Sequence, residues 1–279
     1  QQVVFIDDFH YIDRETQREI AQSLKEALFR GVPLCVALVP HRSEDIERAN
    51  SDLRGRVTHI DMDYWETSEL ELIAERGFNK MNIDTSDGLR EILALESAGS
   101  PHLMQKLCVE VCRVNNINST FEQTKHVDLD YDSLVDVFRR TADNTRHGDT
   151  FDILDTGPKT RGKKRNTYDF IGGNDGDVYR CLIRAIAADP PKLTFKYNEL
   201  KSRTEQQCVS NEAPRGRQIM ETCEQMDGLL REKWSNERYL DWDQTREILA
   251  ITDPYLLFYI RWSERLNMEV GKEYQKKLS

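Results

Sequence analysis

The stretch Val3-Val4-Phe5-Ile6 constrains the fold most: an unbroken apolar run that ends in two adjacent carboxylates, Asp7 and Asp8. A run with no polar alternation is the pattern of a strand covered on both faces, as in a parallel sheet. A helix pattern follows over residues 16–29, where Ile20, Leu24, Ala27 and Leu28 fall at helical spacing, and Gly31 stops it. A second apolar run at 34–39 repeats the strand pattern. Strand, helix, strand is the grammar of an α/β fold with a parallel sheet.

A chain of 279 residues is long enough for two or three small domains. Its formal charge of -10 excludes a global electrostatic pull toward nucleic acid or anionic lipid, so any such contact has to be local. No apolar run approaches the roughly 18–20 residues that span a bilayer, and the first residues lack the plan of a signal peptide. A cytoplasmic protein is expected. The cysteines (Cys35, Cys108, Cys112, Cys181, Cys208, Cys223) form no C-x-x-C pair and no zinc spacing, and are expected to be reduced and mostly in cores.

Beyond the second apolar run the sequence predicts a third short strand at 57–62, then helices over 68–80 and 87–114 that together make a small helical lid. Residues 144–177 are punctuated by Gly, Asp, Thr and Asn, carry a basic run at 161–165, and read as a loop or hairpin insertion. Periodicity returns at 178 with a helix to 188, a break at Asp189-Pro190-Pro191, a short helix at 197–205 and a long one at 214–231. Two extended stretches, 230–234 and 239–242, flank a turn at Ser235-Asn236. Three helices followed by a hairpin is a winged-helix pattern. The aromatic segment 251–265 is expected to pack back on it. The expected divisions are 1–64, 65–143, 144–177 and 178–279.

Adjacent carboxylates at the tip of a strand sit where open α/β sheets bind ligands, outside the carboxyl end. In a nucleotide hydrolase, Asp7 would hold Mg²⁺ through its water shell, and Asp8, beside the metal, would polarise the attacking water. The plainer alternative is an acidic pair that ends a strand and caps the next helix.

The run 3–10 resembles the Walker B motif of AAA+ and STAND ATPases, and later segments follow in that family's order. Pro40-His41-Arg42-Ser43 is similar to the sensor 1 position, which makes Arg42 a candidate contact to the γ-phosphate. The stretch 52–57 looks like the one that presents an arginine finger to a neighbouring subunit, with Arg56 the better match and Arg54 the second. Gly99-Ser100-Pro101-His102 resembles the G-x-P segment near sensor 2, placing Pro101 against adenine and His102 near the sensor 2 arginine of relatives. Each of these also reads as an ordinary surface charge or helix cap. The segment 251–262, with its Asp253-Pro254 start, resembles one that follows the winged helix in STAND-like ATPases.

The fold implied by the resemblance is the C-terminal part of a P-loop NTPase parallel sheet, then an α-helical lid and a winged helix, with ATP/ADP and Mg²⁺ as cofactors. No Walker A loop precedes the acid pair. The string 157–164 spells G-x-x-x-x-G-K, but Lys164 stands where Ser or Thr would ligate Mg²⁺, and it is not taken as a P-loop. An upstream phosphate loop and an effector segment are expected outside this sequence. The implied function is a STAND-type ATPase switch with nucleotide-controlled self-association, a protein or nucleic-acid trigger and no membrane partner; bacterial members often serve in antiviral defence. The alternatives are an origin-recognition type initiator or loader ATPase that binds DNA, or a degenerate scaffold. Arg215 and Arg217 open the helix that would read DNA, but Glu221, Glu224 and Asp227 follow on it and favour a protein contact.

Overall fold

The computed structural model describes residues 3–9, 12–38, 44–60, 64–159, 162, 164–209, 213–234 and 237–278. Its contacts divide the chain into two compact units, residues 1–63 and 64–279.

In the first unit, β1 (Val4–Ile6) lies parallel to β2 (Leu34–Val36) in the register Val4↔Leu34, Phe5↔Cys35, Ile6↔Val36. Helix α1 (Arg14–Phe29) makes the crossover between them. Asp13 starts it, because its Oδ1 accepts from the Glu15 and Thr16 amides at 3.1 and 3.0 Å, and Gly31 at φ 77° ends it in the left-handed region. Helix α2 (Asp45–Ala49) and a 3₁₀ turn (Ser51–Leu53) complete a small core of Phe9, Ala21, Leu24, Ile46 and Leu53. Two expectations fail here. The outer face of the sheet is open, with Phe5 75% exposed, because α1 covers one face only and no described residue of this unit covers the other. The expected third strand is not formed over its described part: residues 57–60 carry no regular structure, and Thr58, His59 and Ile60 are exposed.

The second unit opens with α3 (Thr67–Lys80), β3 (Ile83–Asp84), α4 (Asp87–Glu96), α5 (Pro101–Val114), β4 (Lys125–His126) and α6 (Tyr131–Asp143). The single helix expected over 87–114 is broken, since Ala98 and Gly99 both take positive φ and Ser100 caps a new helix with Pro101 at its first position. In α6, Leu134, Val137, Phe138, Thr141 and Ala142 recur at helical spacing and are buried. The short parallel ladder of β3 and β4 is clasped by His126, whose ring bridges Asp84 at 2.8 Å and Asp128 at 3.0 Å.

The segment 144–177, expected as a loop or hairpin insertion, contains helix α7 (Gly148–Thr156), held by buried Phe151 and Leu154, and then a hairpin of β5 (Tyr168–Asp169) and β6 (Asp175–Gly176). Next come α8 (Val178–Ala187), β7 (Thr194–Lys196), α9 (Tyr197–Gln207), α10 (Gly216–Lys233), β8 (Leu240–Asp243) and β9 (Ile248–Ile251), with the antiparallel sheet order β7-β9-β8. The expected extended stretch 230–234 is instead helical through Lys233. Ile219, Cys223, Met226 and Leu230 form one buried helical stripe that carries α10 past its predicted end. The hairpin therefore lies further on, turned by Asp243, whose Oδ1 accepts from the Thr245 and Arg246 amides. Helices α11 (Pro254–Trp262) and α12 (Tyr274–Leu278) finish the unit, and one continuous core runs from Leu70 to Tyr274.

A buried carboxylate closes that core. Glu96 ends α4 at 2% exposure. It accepts from Arg261 Nε at 3.0 Å and from an Arg261 terminal nitrogen at 2.5 Å. Trp262 Nε1 and the Tyr274 hydroxyl each donate to it at 2.7 Å. Arg261 in turn bonds Asp189 at 2.7 Å and the Ala187 carbonyl, and Asp189 takes the Gly271 amide at 2.9 Å. Removing one partner of such a buried pair strands the other charge. Glu96→Ala is expected to destabilise this unit by about 3–5 kcal/mol in urea unfolding, whereas Lys277→Ala, which removes the part-exposed pair with Glu91, changes it by less than about 1 kcal/mol.

Candidate functional site

The acid pair stands at the carboxyl end of β1. Ile6 is the last strand residue, its carbonyl takes the Ala37 amide at 2.8 Å, and Phe9, fully buried, anchors the chain two residues beyond Asp7. Gln17, in the first turns of α1, donates its side-chain amide to the Phe9 carbonyl at 3.0 Å and fixes that anchor. Between anchor and strand, Asp7 and Asp8 are exposed. Asp8 sits at φ 55°, left-handed for a non-glycine residue, and its amide donates to Asp7 Oδ1 at 2.9 Å. A short strained turn thus orients the Asp7 carboxylate and leaves both acidic residues exposed to solvent.

Arg54 and Arg56, the two finger candidates, are not brought to this pair. Asn50 and Asp52 dock on the middle of α1, with Asn50 Nδ2 to Gln22 at 3.2 Å and Lys25 Nζ to Asp52 at 2.5 Å. The hydrogen bond from Lys25 holds the Asp52 carboxyl below its ordinary range. Arg56 continues in the same direction and lies 4.8 Å over the ring of Phe29, the last residue of α1. A helix of 16 residues spans about 24 Å, so Arg56 is at the opposite end of α1 from the acid pair. Arg54, exposed, follows the 3₁₀ turn two residues earlier. Arg42 lies outside the described residues.

Pro101 and His102 belong to the second unit. Gly99 takes φ 82°, and a Cβ there would lie 2.5 Å from Tyr64 Cβ, so the turn before α5 accepts only glycine. The Trp65 amide donates to the Gly99 carbonyl at 3.3 Å, and Ser100 Oγ accepts from the Leu103 amide at 3.2 Å. Pro101 begins α5, half-buried. The His102 ring is engaged by Tyr255: the hydroxyl is 2.9 Å from Nδ1 and the rings meet edge-on at 5.6 Å. Sequence reasoning passed over Tyr64 and Trp65, part-exposed aromatics lying against this turn; two adjacent aromatic residues in a polar stretch were the available signal.

Helix α10, the helix that a DNA-binding winged helix would use and that the sequence reads as a protein contact, presents paired charges. Arg217 Nε bonds Glu221 at 2.7 Å, and Arg231 bonds Asp227 at 2.6 Å and Asp241 at 2.8 Å. Of the described part of the basic run, Arg165 is spent on Asp177 and on the Thr156 and Pro158 carbonyls. Among the described residues no group of three His, Cys, Asp or Glu side chains is gathered as a metal cage, and no helix is long and apolar enough to cross a membrane. The six cysteines are free thiols; Cys181, Cys208 and Cys223 are buried and Cys35 is exposed. Burial pushes the Cys108 thiol up to about 12, which keeps it an unreactive thiol at neutral pH.

No family model matches the sequence, and no curated protein matches it. Two solved structures are similar in backbone course. Thermotoga maritima RuvB, a Holliday junction branch migration motor, is 16% identical at a TM-score of 0.36, over 90% of this chain and 67% of that one. An arginine-to-alanine variant of the same protein is 14% identical at a TM-score of 0.36 over the same shares. Likeness at that level assigns neither a family nor an activity.

The strain at Asp8 is measurable. Glycine enters the left-handed region without the Cβ penalty of about 1 kcal/mol, so Asp8→Gly is expected to leave the first unit as stable or more stable by up to about 1 kcal/mol in thermal unfolding, although it removes a carboxylate.

Proposed function

We propose that this chain is part of an AAA+-class ATPase whose nucleotide-bound metal is held by Asp7 and used by Asp8. The observation that carries the reading is the exposed acid pair at the carboxyl end of β1, parallel to β2 across a helical crossover and fixed in place by buried Phe9. The donor set suits Mg²⁺, which is bound through one or two carboxylates together with phosphates and retained waters. Bound with ATP, Mg²⁺ would neutralise charge developing on the transferred phosphoryl group. Asp7, whose Oδ1 is already oriented by the Asp8 amide, would hold the metal's water shell. Asp8 would accept a hydrogen bond from the attacking water and so orient it for attack.

The finer reading is a STAND-type switch that self-associates when nucleotide binds. The position of Arg56, about one helix length from the acid pair, supports a finger offered to a neighbouring copy rather than to the site of its own chain. The order α8, β7, α9, α10, β8, β9 with its three-stranded antiparallel sheet supports the winged-helix assignment of the C-terminal part. The paired charges along α10 favour a protein contact there over DNA. Pro101, His102 and Arg42 stay in the proposal as nucleotide contacts, with His102 already sharing its ring nitrogen with Tyr255.

The test is ATP turnover by the intact protein, including any sequence beyond these 279 residues. Asp8→Asn is expected to lower kcat by about 100- to 1,000-fold with nucleotide binding retained, and Arg56→Ala to lower turnover only under conditions where the protein self-associates. Turnover unchanged in Asp8→Asn would remove the acid pair from the chemistry; salt-dependent DNA binding lost on Arg217→Ala would move the reading to an initiator ATPase.

A further inference from the structure

His126 meets a carboxylate with each of its ring nitrogens. Nδ1 lies 2.8 Å from Asp84 Oδ2, and Nε2 lies 3.0 Å from Asp128 Oδ2. A carboxylate ionised at neutral pH only accepts, and a neutral imidazole carries a single N–H. Both contacts are hydrogen bonds only when the ring holds two protons, so the arrangement is that of an imidazolium between two anions.

The ring joins separate parts of the fold. Asp84 belongs to β3 and stands opposite His126 in the parallel ladder, which is closed by the Lys125 amide on the Asn82 carbonyl at 2.9 Å and the Val127 amide on the Asp84 carbonyl at 2.8 Å. Two residue pairs make a weak ladder by themselves, and the ring adds a tie across it. Asp128 carries that tie to the start of α4. Its Oδ1 accepts from the Ser86 hydroxyl at 2.7 Å and from the Ser86 amide at 3.2 Å, while Ser86 Oγ caps α4 through the Leu89 amide.

Other charges close by in the chain are engaged elsewhere. Arg90 bonds Asp87 and both oxygens of Thr85, Lys125 lies 5.1 Å over the Phe121 ring, and Asp130 caps α6 through the Ser133 amide. Helix α3, which also packs on β3, buries Leu70, Ala74 and Phe78. The charges that act on the ring are those of Asp84 and Asp128. The ring is 60% exposed, so it exchanges protons with solvent directly.

We propose that His126 is a proton-operated latch: doubly protonated, it ties β3 to β4 and, through Asp128, to the start of α4; on losing the Nε2 proton to solvent it keeps the shorter bond to Asp84 and releases Asp128. The Nε2 lone pair then faces the Asp128 carboxylate, and the two repel. The hydrogen bond to Asp84 does most to raise the ring above the ordinary 6.5, the charge and hydrogen bond of Asp128 add to it, and burial opposes. A group whose pKa is higher in the folded state adds stability that is fully present below its unfolded value and is lost as pH rises through the folded one. The latch is therefore closed below 6.5 and opens as pH climbs past the raised midpoint. It is independent of the nucleotide reading.

The test is a histidine ring ¹⁵N NMR titration of the intact protein, with His126→Gln identifying the resonance. The expected midpoint lies above 6.5, and the ring keeps its proton on Nδ1 once neutral. Asp84→Asn and Asp128→Asn are each expected to lower the proton affinity of the ring at least about threefold, half a pH unit. In thermal melting the unsubstituted protein is expected to exceed His126→Gln at about pH 6, with the difference shrinking by about pH 9. A midpoint at or below 6.5, a midpoint unmoved by both aspartate substitutions, a neutral ring protonated on Nε2, or a melting difference equal at the two pH values would each overturn the proposal. All three residues are exposed, so the variants keep the fold in which the latch is read.

Discussion

The second unit depends on one buried carboxylate. Glu96 ends α4 at a point where water does not reach it, and a bare carboxylate there would cost several kcal/mol. Four hydrogen bonds from Arg261, Trp262 and Tyr274 satisfy both of its oxygens. These donors lie 165–178 residues further along the chain, so the end of α4 is tolerated only once α11 and α12 are in place. The same guanidinium reaches the Ala187 carbonyl at the end of α8 and Asp189 just beyond it. Helices from both ends of residues 64–279 thus meet on one polar cluster, and the apolar packing around it has a single satisfied arrangement.

The first unit places its constraint elsewhere. A parallel strand pair joined by a capped helix delivers the chain to the carboxyl edge of the sheet, and buried Phe9 forces the two residues before it to bridge from strand to anchor. Asp8 absorbs that turn in the left-handed region, where aspartate is better tolerated than most residues but still strained. Strain held at an exposed acid pair is an observation from which a functional role follows more readily than the reverse. The open outer face of β1 and β2, with Phe5 and Cys35 exposed, belongs to the same economy: one helix covers one face.

Much of this was readable in the sequence where the signal was local. The strand–helix–strand order at residues 4–36, the helices near 68–80 and 178–188, and the cap at Ser100 each follow from side-chain type at fixed spacing. The misses have a physical pattern. Residues 230–234 look extended one by one, but Leu230 completes the buried stripe of α10, so packing overrides the local signal. Residues 57–60 have strand-like composition but pair with no strand among the described residues. Gly148 and Asp149 suggested a loop, while Phe151 and Leu154, one turn apart, were enough to bury a short helix. Glu96 gave no local signal, since α4 also carries Asp87, Arg90 and Glu91, and its partners lie too far along the chain for any spacing rule to name them. Of the candidate site, the adjacency of Asp7 and Asp8 was visible, whereas the separation of Arg56 from them came only from its packing on Phe29.

Whether Asp7 holds the metal of a bound nucleotide is read most directly by Mn²⁺ in place of Mg²⁺. Electron paramagnetic resonance gives the free Mn²⁺ concentration as the ion is titrated into the intact protein saturated with a non-hydrolysable ATP analogue. Uptake of one Mn²⁺ per nucleotide, weakened at least about tenfold in Asp7→Asn with metal-free nucleotide affinity unchanged, is the predicted result. Equal Mn²⁺ affinity in the two proteins would contradict it and leave the acid pair as the end of a strand.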